Sequence, residues 1–202
     1  MQTPLSRGAL LKRVKSGELT VGTFLGLASP IAAEMAAIGG ADWVLLDLEH
    51  GGGSESLVGA TVISSGAYGV PTLVRVESSE RIRIGRVLDE GVAGVMVPRL
   101  NSAAEVAKVT KHFAYPPLGD RGAATYNRAA RWGEDLDALD PAPKAACIIQ
   151  IETKGALDDV EAIAALPGAD ILFVGPLDLS FALGMPKDFD NPTFQQALAR
   201  VV

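Results

Sequence analysis

The chain has 202 residues, 48% of them hydrophobic and 21% charged, which supplies one sizeable core and excludes intrinsic disorder. Its 18 Lys and Arg side chains stand against 24 Asp and Glu, a net charge of −6. Without a cationic surplus to neutralise a phosphate backbone, nucleic acid is excluded as a general partner.

Met1-Gln2-Thr3-Pro4 lacks the charged-then-apolar opening of a secretory leader. The first short apolar run, 21–25, reads as a strand, and the Ala-rich segment after it reads as a helix that stops at Gly39-Gly40. A second strand follows at 43–46. The stretch 21–48 is the most apolar of the chain, but Pro30, Glu34 and Asp42 interrupt it, so no membrane span is expected. Leu73-Val74 and 95–97 are the next strands, with a helix between them and one ending near Gly66 before them. Ser102-Ala103-Ala104-Glu105 is a capping box that opens a helix carrying Val106, Val109 and Phe113 on one face, with His112 expected at the surface. The segment 114–144 holds Tyr115-Pro116-Pro117 and Trp132 but no clear strand; connections this long are usually functional or oligomer-forming. A fifth strand at 147–149 buries Cys147, the sole cysteine, which can form no internal disulfide and fits a reducing cytoplasm. One helical face with Leu157, Val160 and Ile163 follows, then a sixth strand at 171–174 and a helical pattern still running at Val202.

The strand runs are nearly continuous rather than alternating, as in parallel sheets covered on both faces. Repeated strand-helix units allow either an open doubly wound sheet or a closed barrel of eight units. The expectation is one domain over 1–202. As a barrel it would be C-terminally incomplete, since a full one runs to about 250 residues and eight strands.

The chemistry-bearing side chains gather at the carboxyl ends of these strands, the face where parallel α/β folds build their sites. Asp47, Glu49 and His50 close the second strand, Arg75 the third, Pro98-Arg99 the fourth, Gln150-Ile151-Glu152 the fifth and Gly175-Pro176-Leu177-Asp178 the sixth. These charges could be structural ion pairs, but the set as a whole points to a site. Glu152 and Asp178, with no His or Cys cluster beside them, suit a hard cation, Mg²⁺ or Mn²⁺ with Co²⁺ a further candidate, better than zinc. Main-chain N–H groups near Leu177 and Asp178 would cradle a substrate carboxylate. Arg75 would stabilise an enolate, and His50 is the acid/base candidate, its tautomer fixed by Asp47, Glu49 or Asp89. Other chemistries fail on inspection. His50-Gly51-Gly52-Gly53 is unaccompanied by a Gly-x-Ser-x-Gly elbow, and there is no dinucleotide fingerprint or P-loop. The lysines are all at helix or loop positions, unsuited to a Schiff base.

Taken together, these stretches resemble the HpcH/HpaI aldolase/citrate lyase family of class II pyruvate-type aldolases. The resemblance rests on Gly26-Leu27-Ala28-Ser29-Pro30, Asp47-Leu48-Glu49-His50-Gly51, Leu88-Asp89-Glu90-Gly91 with Val97-Pro98, the run from Tyr115 to Gly122, Gln150-Ile151-Glu152, and Gly175-Pro176-Leu177-Asp178-Leu179-Ser180, in family order. It implies a (β/α)8 TIM barrel of the phosphoenolpyruvate/pyruvate type and reversible cleavage of 2-oxo-4-hydroxy acids to pyruvate or hydroxypyruvate and an aldehyde. By matching position it implies Glu152 and Asp178 as metal ligands, His50 as base, Arg75 as enolate stabiliser, Asp47 and Asp89 as the groups that orient His50, and Gln150 beside the metal. It also implies a homo-oligomer, a hexamer in the family. The chain departs from the family at Gly52-Gly53, where a looser loop is expected, and at Phe24, where some members carry tryptophan; it also stops at Val202 before a seventh and eighth strand. A citrate-lyase- or malyl-CoA-lyase-like enzyme and a non-catalytic 2-oxo-acid-binding relative are the alternatives.

Overall fold

The computed structural model describes residues 7–202; Met1 to Pro4, read above for a leader pattern, lie outside the described residues. Helix α1 (Arg7–Lys15) leads into β1 (Gly22–Leu25), α2 (Pro30–Ile38), β2 (Trp43–Asp47), α3 (Val58–Gly66), β3 (Thr72–Arg75), α4 (Arg81–Asp89), β4 (Gly94–Val97) and α5 (Ala103–Lys111). After a long connection come β5 (Ala146–Ile151), α6 (Lys154–Asp158), α7 (Val160–Ala164), β6 (Ile171–Val174), α8 (Pro176–Ala182) and α9 (Pro192–Val201). Among the described residues no helix is long and apolar enough to cross a membrane.

All the strand pairings are parallel, and the six strands lie side by side in chain order. A doubly wound sheet reverses its order at a switch point; this one does not. The sheet also curls. Laid flat, β1 and β6 would stand about 24 Å apart at a spacing of about 4.8 Å per strand. Instead, Phe24 of β1 and Phe173 of β6 meet with ring centroids 5.9 Å apart. Six parallel strands thus form a curled half-barrel, a TIM-barrel-like arrangement.

Side chains alternate between the concave and convex faces of this curl. Leu45, Leu73, Met96, Ala146 and Ile148 face inward, where Leu10 and Leu11 of α1 join them. Leu46, Val74, Val95, Val97, Ile149 and Ile151 face outward against the helices, meeting residues such as Val58, Ile84, Val106 and Ile163. Each such side chain, fully buried, contributes about 1.5–3 kcal/mol from the area it removes from water. Burial on both faces explains why the strands read as continuous apolar runs.

Two local expectations are corrected and one is refined. The helix foreseen over 157–163 is two, α6 and α7, broken at Asp159, whose Oδ2 accepts a hydrogen bond from the backbone N–H of Ala103 at 2.9 Å and so serves α5 instead. The capping box holds, but Glu105 reaches one residue further back than the simplest form, accepting from the Asn101 N–H (2.8 Å) while Ser102 Oγ accepts from Glu105 N–H (3.2 Å). His112 is not on the open surface; its side chain is 16% exposed and its Nδ1 lies 2.7 Å from Asp120 Oδ1.

The glycine loop after β2 is also tighter than expected. A Cβ on Gly51 would sit 2.4 Å from the Asp47 carbonyl oxygen, and one on Gly53 would sit 2.8 Å from Ala28 Cβ. The Gly52 N–H donates to the Gly26 carbonyl at 3.1 Å, tying the loop after β2 to the loop after β1.

Candidate active site

Because inward positions recur every second residue, one further step along each strand beyond the apolar layer brings the next inward side chain to the C-terminal rim. In β2 that residue is Asp47, in β3 Arg75, and in β5 Gln150 followed by Glu152. Asp47 and Arg75 are register partners across β2 and β3, so their side chains meet directly. Arg75 Nε donates to Asp47 Oδ1 (2.9 Å) and Nη2 to Oδ2 (2.6 Å), a bidentate pair. Arg75 Nε also lies 3.3 Å from Glu49 Oε2, and its guanidinium sits 5.3 Å over the Phe24 ring. Burial works against charge on both partners. The opposing effect is larger: hydrogen bonds and charge from Arg75, with the His50 and Glu49 N–H groups, hold the Asp47 carboxyl below its ordinary range. The Arg75 guanidinium is likewise held above its own, by Asp47 first and then Glu49 and Glu152.

Gln150 links this pair to Glu152. Its Oε1 makes a long contact with Arg75 Nη1 (3.5 Å), and its Nε2 donates to Glu152 Oε2 at 2.5 Å. The other carboxylate oxygen, Oε1, accepts the backbone N–H of Arg99 at 2.7 Å. Glu152 is 3% exposed. Burial raises its pKa, the Arg99 N–H opposes that rise, the charges of Asp178 and Glu49 add to it, and Arg75 lowers it. Gly175 completes the wall. A Cβ there would lie 2.7 Å from Gln150 Nε2 and 2.8 Å from Glu152 Oε2, so no side chain fits. Directly after it, α8 begins at Pro176, with Leu177 exposed and Asp178 half-buried in the first turn. The first helical bond runs from Leu179 N–H to the Gly175 carbonyl at 3.0 Å, so the N–H groups of Leu177 and Asp178 precede it.

His50 stands at the mouth, its side chain 65% exposed. Its backbone N–H donates to Asp47 Oδ1 (3.3 Å), while its ring Nε2 lies 3.8 Å from Glu49 Oε2. Glu49 is therefore the carboxylate at the imidazole, and Asp47 is committed to Arg75. Asp89 is not brought to His50 within the chain. It ends α4, the helix that returns from the C-terminal end of β3 towards the start of β4, and its Oδ1 accepts from Arg121 Nη2 at 2.7 Å. That arginine is itself buried and stacked 4.7 Å from the Tyr115 ring. Among the described residues, no group of three or more His, Cys, Asp or Glu side chains has metal-site geometry; Glu152 and Asp178 lie near enough that the charge of Asp178 raises the Glu152 pKa.

The HpcH/HpaI aldolase/citrate lyase family matches residues 20–202. The chain belongs to this family of carbon–carbon lyases. It is 40% identical over 200 residues to the hydroxypyruvate/pyruvate aldolase of Paraburkholderia phytofirmans, covering 96% of this chain and 77% of that one. It is 33% identical over 204 residues to the 2-keto-3-deoxy-L-rhamnonate aldolase of Klebsiella pneumoniae, covering 100% of this chain and 74% of that one. The crystal structure of a family protein from Burkholderia cenocepacia superposes with a TM-score of 0.90 at 36% identity, over 96% of this chain and 78% of that one.

Some features of this family member's site escaped the sequence. The Arg99 N–H on Glu152 depends on a left-handed backbone at Arg99, φ 59°, which no local pattern announces. Glu49 is one of the three carboxylates the sequence offers to the imidazole, and what singles it out over Asp47 is the claim Arg75 makes on Asp47, a contact between strands. The steric need for glycine at 175 had a visible signal, its place between a strand end and Pro176, but its cause lies 23 to 25 residues away, by subtraction, at Glu152 and Gln150.

Proposed function

We propose that the chain is a class II aldolase of the divalent-metal-dependent kind, on a (β/α)8 barrel of the phosphoenolpyruvate/pyruvate type. It cleaves 2-oxo-4-hydroxy acids reversibly to pyruvate, or hydroxypyruvate, and an aldehyde. The observation that supports this most directly is the imbalance of charge at the rim. The carboxylates of Asp47, Glu49 and Glu152 draw on the Arg75 guanidinium, which is bound bidentately to Asp47, and the charge of Asp178 adds to that of Glu152. The rim is short of positive charge at Glu152 and Asp178, and oxygen donors in that setting fit Mg²⁺ or Mn²⁺. Glu152 and Asp178 would hold the ion, with waters and substrate oxygens filling its remaining positions. When bound, a divalent ion supplies Lewis acidity towards the keto group of the substrate.

The protein's own groups do the rest. Arg75, held rigidly by Asp47, directs N–H donors to the keto oxygen, where negative charge develops as the enolate forms. Gln150 fixes the distance between that guanidinium and Glu152. The turn 175–178 lies open because Gly175 has no side chain, leaving room for the substrate carboxylate beside the N–H groups of Leu177 and Asp178. His50 takes the proton from the C4 hydroxyl at the mouth, and Glu49 stabilises the imidazolium that results.

The test is pyruvate release from a 2-oxo-4-hydroxy acid by the purified protein. Release should vanish on thorough chelation and return with Mn²⁺ or Mg²⁺. Release undiminished after chelation, or turnover of acyl-CoA thioesters in place of oxo acids, overturns the proposal.

A further inference from the structure

The side chain of Arg99 plays no part in the reaction just described, although its backbone does. Arg99 follows Pro98 at the C-terminal end of β4, in the same ring of strand ends as Arg75, Gln150 and Glu152. Its main chain is pinned on both sides. The N–H donates to Glu152 Oε1 at 2.7 Å, and the carbonyl accepts from Asn101 Nδ2 at 3.2 Å. The pinned conformation is left-handed, φ 59°, which glycine or asparagine would adopt with less strain than arginine. What arginine adds at this position is therefore its charge.

That charge is unspent. Arg75, Arg83, Arg121 and Arg200, among others, each meet a carboxylate. Arg99 is exposed, and its guanidinium makes no hydrogen bond or ion pair among the described residues, although its own backbone touches the Glu152 carboxylate. A flexible cation left free at the rim of a carboxylate-rich site has a clear physical use. The rim as it stands repels any second anion, and a free guanidinium gives such a group a bidentate partner at a distance from the reacting atoms.

We infer that Arg99 is a specificity-determining residue: it takes the anionic end, a carboxylate or a phosphate, of the aldehyde that the enolate adds to or leaves. This rests on the aldolase reading above, and the experiment separates the two. Condensation with pyruvate is measured for succinic semialdehyde, glyceraldehyde 3-phosphate and neutral butanal, with Arg99→Asn chosen because asparagine suits the left-handed backbone. The wild type should favour an anionic acceptor in kcat/KM, and Arg99→Asn should lower that preference about tenfold, mainly through KM, as expected for one lost charge-assisted contact. Arg99→Lys should restore part of it. Added salt should erode the preference in the wild type and leave the Asn variant nearly flat. The two anionic arms tell carboxylate from phosphate recognition. Exchange of the pyruvate methyl protons with D₂O needs the enolate but no acceptor, and provides the control. No exchange in the wild type overturns the aldolase reading and this inference with it. Exchange with an acceptor preference that Arg99→Asn does not alter, or with activity falling equally for all three aldehydes, overturns this inference alone.

Discussion

The two ends of the curled sheet obey opposite rules although the same strands build both. At the N-terminal end the inward positions are Leu45, Leu73, Met96, Ala146 and Ile148, closed by Leu10 and Leu11 of α1. One or two inward steps further along, the same strands carry Asp47, Arg75, Gln150 and Glu152, all buried. The lower layers remove apolar surface from water and need no partners. The upper layer takes charge out of water, and each member is tolerable only because another member answers it. The lower end gives the molecule its stability, and the upper end draws on that stability to hold a reactive arrangement.

Substitutions can sharpen or break this division. Arg75→Ala should be the most damaging, since it leaves Asp47 and Glu49 without their cation; a loss of about 3–5 kcal/mol in denaturant unfolding is expected, together with a fall in turnover on the order of a hundredfold or more. Leu45→Ala, at the other end, should cost about 2–5 kcal/mol, yet leave the activity per folded molecule and its pH profile in place. If Leu45→Ala changed the pH profile, the two ends would not be separable. Gly175→Ala is expected to cost about 1–3 kcal/mol by overpacking and to impair turnover disproportionately, because the new methyl group displaces Gln150 and Glu152 together.

The acid limb of stability is a further check. Asp47 has its carboxyl held below the ordinary value, so its contribution is complete above the unfolded pKa, about 3.9, and is lost as pH falls through the lower folded value. Asp47→Asn should flatten that limb of a Tm-versus-pH curve. His50→Ala should barely move the unfolding midpoint, within about 0.5 kcal/mol for so exposed a side chain, while kcat drops by about a hundredfold or more. A large stability change there would place His50 in the structure rather than in the chemistry.

Much of the fold was legible because its strands are covered on both faces and so read as unbroken apolar runs; the six foreseen match β1 to β6 with ends shifted by at most two residues, and β6 not at all. The crowding of Asp47, Arg75, Gln150 and Glu152 was legible for a related reason, since polar residues at the ends of such runs converge on one rim. Features set by contacts between distant segments were not. Helix α1 has only two buried leucines in a basic stretch and acquires its meaning from the open end it closes. The break at Asp159 is made by an N–H on α5. Asp89 and His50 both flank regular elements in the sequence, but the helix between β3 and β4 runs against the strands and carries Asp89 away from the rim.

Gln150 gives the site a direction. Its carboxamide has its oxygen towards Arg75 and its nitrogen towards Glu152, and turning it over would set like against like at both ends. An amide so constrained is a native sensor. Its two side-chain protons should resonate apart from those of freely rotating glutamines, and whatever enters the space between guanidinium and carboxylate must shift them, so occupancy could be followed by NMR without attaching any label to the reacting groups.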